Sequence, residues 1–240
     1  MKIRIFVLVC ALLLALAGVA ACAAPASGGQ AGAVPAPKLD APLAASHGTR
    51  SAVFAGGCFW GMQWVFEHVK GVTGVASGYS GGAAATAHYE RVSQGDTGHA
   101  ESVQVTYDPS QVSYGELLRV YFSAATDPTE LNYQGPDTGT QYRGAIFYAD
   151  PQQEKIARAY IAQLTAAKTW SAPIVTQVVP FKAFYPAEAY HQDYARRNPD
   201  DAYIRINDAP KVARLRQVLP ALYRAQPVTW QPRSIDVQAL

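Results

Sequence analysis

Apolar positions along the chain switch between strand-like and helix-like periods. Ser51 to Gly57, SAVFAGG, is a short apolar run ending in two glycines, the pattern of a buried strand. From Cys58 to Lys70 the period changes, with Phe59, Met62, Val65, Phe66 and Val69 at three- and four-residue spacing, which predicts a helix starting directly after the glycines. Val72 to Gly82 predicts a strand running into a glycine turn, and Glu101 to Asp108, ESVQVTYD, alternates as a half-buried strand does. Ser113 and Glu116 make a capping box ahead of Leu117, Leu118, Tyr121 and Phe122, so a helix begins there. Gln141 to Ala149 predicts a strand, Pro151 to Lys168 a helix with Ile156, Tyr160, Ile161 and Leu164 on one face, and Val175 to Val179 a further strand. The aromatic-rich stretch from Phe181 to Asn198 either wraps the sheet or lines a cleft, and Lys211 to Ala225 predicts a surface helix interrupted by Pro220. The order strand, helix, strand, strand, helix, strand predicts an α+β class, a two-layer α/β sandwich with a ferredoxin-like split βαβ core and long irregular segments.

The ends carry other patterns. Lys2 and Arg4 precede an apolar run from Ile5 to Leu16, followed by small residues, the layout of a secretory signal peptide over 1–21. That run is shorter than the roughly 20 apolar residues a permanent span needs. Val19-Ala20-Ala21-Cys22 resembles the lipobox of bacterial lipoproteins, which implies that Cys22 is diacylated and becomes the new N-terminus. Residues 22–48, rich in Ala, Pro, Gly and Ser, predict a flexible tether, because such a stretch buries too little surface to offset its ordering entropy. The folded domain is expected over 49–225, with a C-terminal tail at 226–240. The expected location is the periplasmic side of a bacterial envelope, the protein being a lipid-anchored monomer.

Charge excludes one class. Twenty Lys and Arg against eighteen Asp and Glu give a net charge of +2 over 240 residues, so no strong field favours a nucleic acid.

Three cysteines occur in the chain, Cys10 in the signal, Cys22 at its end and Cys58 alone inside the domain, so no disulfide can form within the domain. Cys58 stands where a strand ends and a helix begins, and a helix N-terminus favours the thiolate over the thiol. Gly56 and Gly57 would let a substrate approach the backbone. Phe59 and Trp60 are adjacent in the first helical turn and cannot both face one core, so at least one faces a cavity suited to a small polarizable group such as a thioether methyl. The five histidines show no metal-ligand spacing, and no metal is expected.

Several ordered blocks carry a family resemblance: GCFWG at 57–61, GYSGG at 78–82, GDTGHAE at 95–101, YDP at 107–109, QGPDTGTQYR at 134–143 and YHQDYARRNP at 190–199. Together they resemble methionine sulfoxide reductase A, the family that reduces the S epimer of methionine sulfoxide. The resemblance implies that Cys58 attacks the sulfoxide sulfur and that Phe59 and Trp60 hold the substrate methyl group. It further implies that Glu101 protonates the sulfoxide oxygen with the help of the Tyr89 and Tyr142 phenols, and that Asp137 is a further carboxylate of the site. Oxidised proteins, peptides and free methionine sulfoxide are the implied substrates, with no cofactor. Many members resolve the cysteine sulfenic acid with a second cysteine near the C-terminus; this chain has none after Cys58. An external thiol reductant of the thioredoxin kind is therefore implied. Two rival readings are a peroxide-reducing thiol enzyme and a peptide-binding lipoprotein without catalysis.

Overall fold

The computed structural model describes residues 32–231, so the signal peptide and Cys22 lie outside the described residues. Six strands form one sheet in the order β7-β6-β1-β3-β2-β8. These are β1 (Arg50–Ala55), β2 (Val72–Ser80), β3 (Ala100–Tyr107), β6 (Ala145–Tyr148), β7 (Gln177–Pro180) and β8 (Phe184–Pro186); β4 (Tyr133–Gln134) and β5 (Asp137–Thr138) make a separate small hairpin. The helices are α1 (Phe59–Glu67), α2 (Tyr89–Val92), α3 (Tyr114–Val120), α4 (Pro151–Ala166), α5 (Tyr194–Arg197) and α6 (Ala209–Val218). β3 lies antiparallel between β1 and β2, and β1 antiparallel between β3 and β6. The connection through α1 therefore skips β3 and the one through α3 skips β1, the interleaving of a split βαβ unit.

Local rules explain the starts of the helices. Ser113 Oγ accepts from the Glu116 amide at 3.1 Å, which satisfies one of the free donors of α3. Asp150 does the same for α4 by accepting from Gln153 at 2.8 Å, with Pro151 in the first turn where a missing N–H costs nothing. The alternation of β1 splits its side chains between two cores. Phe54 points into the large core, where its ring lies 5.4 Å from Phe66 and 5.5 Å from Tyr121, while Val53 and Ala55 join Ala76, Ala145, Phe147 and Phe184 on the opposite face.

The stretch 32–48 differs from the tether expected there. Val34 is fully buried in the large core, its amide donates to Ser123 Oγ, and its carbonyl accepts from Arg119. The Tyr160 hydroxyl donates to the Pro35 carbonyl at 2.6 Å, and Asp40 accepts from the Gly115 amide at 2.8 Å and from the Ser113 hydroxyl. A composition without apolar period conceals this strap because one valine and a set of backbone groups hold it; full burial of a valine contributes about 1.5–3 kcal/mol.

Three boundaries also differ. Of the strand expected at 141–149, only 145–148 is extended, since Thr140–Tyr142 is a 3-10 turn that delivers Tyr142. β7 sits at 177–180, paired in parallel with β6. α6 starts earlier than expected, directly after a π-helical turn at Ile204–Asp208, and ends before Pro220. The aromatic stretch 181–198 does both things open to it: β8 adds an antiparallel strand to the edge of β2, and the residues from Tyr190 to Tyr194 turn over the N-terminal end of α1.

Candidate active site

Cys58 is the residue immediately before α1 and is 8% exposed. The approach to it requires Gly57, whose φ of +96° lies in the region that favours glycine. The space above these glycines is filled by protein rather than left for a substrate: a Cβ on Gly57 would come within 2.7 Å of Gln134, and one on Gly56 within 2.8 Å of Thr126. Their smallness thus serves the packing of the 126–134 loop against the nucleophile's turn.

Glu101 projects from the start of β3 beneath this turn and is 3% exposed. The Phe59 amide, one of the unsatisfied donors of α1, donates to Glu101 Oε2 at 3.0 Å. Burial raises the pKa of this carboxyl to about 8, with Asp137 and Asp208 adding to the rise and the Phe59 hydrogen bond opposing it. At neutral pH Glu101 is therefore mostly the neutral acid, as acid catalysis requires.

The thiol departs from the expectation drawn from its position. Burial first, then the neighbouring Glu101 and Asp208, push the Cys58 thiol well above the ordinary cysteine range, and a hydrogen bond with the Trp60 amide and the Lys211 ammonium pull it back only in part. Desolvation outweighs the helix N-terminus here because the Phe59 amide of that terminus is already committed to Glu101. The resting sulfur is a protonated thiol.

The other expected residues converge on the same place. Tyr89 opens α2, where its amide donates to Glu188 Oε1 at 3.0 Å, and Glu188 also accepts from the Tyr79 hydroxyl. Burial holds both the Tyr89 and Tyr142 phenols above their usual range, followed in each case by Glu101; Cys58 and Asp137 act on them in the same direction. Both remain neutral donors facing the thiol and the acid. Asp137, in β5, accepts from the Tyr203 hydroxyl.

Phe59 and Trp60 divide as their adjacency demands. Phe59 is 1% exposed, its ring 5.8 Å from Tyr79 and 5.0 Å from His191. Trp60 is half-buried, stacked on Tyr194 with centroids 3.9 Å apart at 16° and edge-on to Tyr203 at 6.0 Å. Its indole N–H donates to His191 Nδ1 at 3.0 Å, which assigns the ring proton of a neutral His191 to Nε2; burial lowers the pKa of that imidazole. His99 is structural, its ring bonded to the Gly82 amide and the Ala83 carbonyl.

Reasoning from the sequence missed His191, Tyr194, Tyr203, Asp208 and Lys211 as members of the site. His191 and Tyr194 are three apart in YHQDY, a spacing that puts two rings on one side of a turn, but nothing in it says that Trp60 lies between them. Asp208-Ala209-Pro210 signals a helix start without indicating what that start faces. A cavity of about 330 Å³ opens beside the site, lined among others by Gln134, Asp137, Trp170, Tyr203 and Lys211.

The arrangement is a buried thiol, a neutral carboxylic acid and two neutral phenols around an aromatic wall, suited to attack on an electrophile whose departing oxygen needs protons. Comparison with known proteins agrees. The family model described as peptide methionine sulfoxide reductase matches residues 50–221. A peptide methionine sulfoxide reductase MsrA 2 of Mesorhizobium japonicum is 59% identical over 184 residues, 77% of this chain and 94% of the relative. One of Synechocystis, also MsrA 2, is 51% identical over 195 residues, 80% of this chain and 91% of the relative. Among solved structures, reduced Mxr1 of Saccharomyces cerevisiae aligns with a TM-score of 0.57 at 33% identity, covering 68% of this chain and 91% of that one. Methionine sulfoxide reductase A of Corynebacterium diphtheriae gives 0.55 at 32%, covering 72% and 90%. With most of the domain matched by the family model and by relatives above the 45% level of identity, the chain belongs to the peptide methionine sulfoxide reductase family.

Proposed function

We propose that this enzyme reduces the S epimer of methionine sulfoxide, in peptides and proteins and as the free amino acid, through Cys58. Cys58 sulfur attacks the sulfoxide sulfur while Glu101 donates its proton to the oxygen and the Tyr89 and Tyr142 hydroxyls hydrogen-bond it. Attack joins the Cys58 sulfur to the substrate sulfur, which then carries its protonated oxygen as a hydroxyl. That hydroxyl passes to the Cys58 sulfur as the new S–S bond and the old S–O bond break, the proton given up by the thiol replaces the one Glu101 donated, and the balance is Cys–SH plus R–SO–CH3 giving Cys–SOH plus R–S–CH3. The observation that carries this reading is the Glu101 carboxyl, buried, neutral and hydrogen-bonded to the residue next to Cys58. Trp60 with its Tyr194 stack forms the wall for the methyl group, and Phe59, deeper, backs that wall. The neighbouring cavity takes the polypeptide flanking the oxidised residue.

Cys58 is the only cysteine among the described residues, so two external thiols close the cycle. The first displaces water from the sulfenic acid to give a mixed disulfide and the second releases Cys58 as thiol, chemistry a thioredoxin-like dithiol supplies in one molecule. The signal-like N-terminus and the lipobox around Cys22 support a lipid-anchored enzyme on the periplasmic side of the envelope that repairs oxidised envelope proteins.

Dithiothreitol-driven reduction of the separate epimers of dabsylated methionine sulfoxide tests the reaction. Turnover of the S epimer that vanishes in Cys58→Ser supports it; equal turnover of both epimers, or an active Cys58→Ser, rejects it. Intact mass of the mature envelope fraction decides acylation at Cys22.

A further inference from the structure

The start of α6 brings a pair of charged side chains near the nucleophile's turn. Asp208 ends the π-helical turn before α6 and is completely buried. Its Oδ1 accepts from Lys211 Nζ at 3.2 Å, while its Oδ2 is buried with no hydrogen-bond partner. The pair is seated against Gly61, one helical turn beyond Cys58 on the same side of α1. A Cβ at Gly61 would lie 2.1 Å from Asp208 Oδ1 and 3.1 Å from Lys211 Nζ, so the absence of a side chain there lets the charges reach the first turn.

A buried ion pair with a lone oxygen left unsatisfied is a poor way to gain stability, since an apolar pair of similar volume often does as well. An unsatisfied buried group in a native fold calls for another reason, and π-helical turns concentrate at functional sites. Tyr203, directly before that turn, donates its hydroxyl to Asp137, so both ends of the turn reach the site.

We propose that Asp208 and Lys211 are positioning residues that tune the charge of the Cys58 sulfur: the carboxylate adds to the bias toward the thiol that burial and Glu101 create, and the ammonium offsets part of it. Both groups act on Cys58 in those directions, after burial and Glu101 on one side and the Trp60 amide on the other. The benefit is chemical. A sulfur with no internal cysteine to resolve it stays less reactive toward stray oxidants and electrophiles while it remains a thiol.

This rests on Cys58 being the nucleophile, and the test separates the two. Iodoacetamide alkylation is followed against pH on the full chain, read at the Cys58 peptide by mass spectrometry, so other cysteines do not interfere. Glu101 from β3 and the phenols of Tyr89, Tyr142, Tyr194 and Tyr203 act on the sulfur in every variant and stay unchanged. Asp208→Asn, nearly isosteric, should move the alkylation midpoint about one pH unit lower and raise the rate at pH 7 up to about tenfold. Asp208→Asn combined with Lys211→Met should move the midpoint back toward wild type, because the unbalanced cation is gone. A midpoint unmoved in Asp208→Asn, or the same shift in both variants as simple loosening would produce, overturns the proposal. Alkylation reports the sulfur whether or not the enzyme turns over, whereas inactivity of Cys58→Ser tests the catalytic reading.

Discussion

Replacing Glu101 with Gln removes one proton and almost nothing else. The Gln side-chain carbonyl can still accept from the Phe59 amide, now at 3.0 Å from Glu101, so the start of α1 keeps its anchor. With a pKa of about 8 the acid is roughly 90% protonated at pH 7, whereas a carboxyl at the ordinary 4.5 would be protonated about 0.3% of the time, so its surroundings, burial first, raise the available acid about 300-fold. Losing an acid of this kind costs about a hundredfold or more in kcat/KM, near 2.7 kcal/mol of transition-state stabilisation. The pH dependence gives a sharper mark. Below pH 8 the acid stays protonated while the thiolate fraction of Cys58, whose pKa is held high, grows tenfold per unit, so kcat/KM climbs; above about 8 the two fractions move oppositely and the profile levels. In Glu101→Gln the climb continues through 8 from a much lower base. The assay is single turnover of pre-reduced enzyme with a methionine-S-sulfoxide peptide, which removes the reductant from the rate. A variant within fivefold of wild type, or one that keeps the break near pH 8, would refute Glu101 as the acid.

Other outcomes follow from the same geometry. Trp60→Ala removes the ring stacked 3.9 Å from Tyr194 and the donor to His191, so KM for the sulfoxide should rise about tenfold with a smaller change in kcat, measured by steady-state kinetics. Burial, with the Asp193 carboxylate beside it, raises Glu67 to about 10. The folded state then binds a proton that the unfolded state releases, so stability falls by up to about 1.4 kcal/mol per pH unit between roughly 4.5 and 10 from this group. Denaturant unfolding of Glu67→Gln at pH 6 and pH 9 should show a shallower loss than wild type. Asp40→Ala deletes the acceptor for the Gly115 amide at the start of α3 and should cost about 1–2 kcal/mol of unfolding free energy without altering kcat.

Much of this architecture was legible where the local pattern and the tertiary role agree. The strand, glycine turn and helix around Cys58 follow from one change of apolar period, and Ser113 and Asp150 cap the helices their neighbours announce. The family blocks named Cys58, Glu101, Tyr89, Tyr142, Asp137, Phe59 and Trp60, and the fold brings them to one end of α1. What escaped depends on long-range placement. Val34 looks like any residue of a Pro- and Ala-rich stretch until Ser123 and Arg119, more than eighty positions away, hold its backbone. Asp208 and Lys211 read as the polar start of a surface helix because their neighbour, Gly61, lies far back in the chain and has no side chain to signal a contact. The thiol was misjudged for a related reason: the helix N-terminus is visible in the sequence, but the burial and the two carboxyls that override it are not.

The central claim is that Cys58 takes the oxygen from the substrate. Pre-reduced enzyme mixed with excess methionine-S-sulfoxide peptide, without any reductant but with dimedone, tests it in one experiment. The account predicts one equivalent of methionine per enzyme and one dimedone adduct located on Cys58. Methionine formed while Cys58 stays unmodified, or no methionine formed at all, would contradict it.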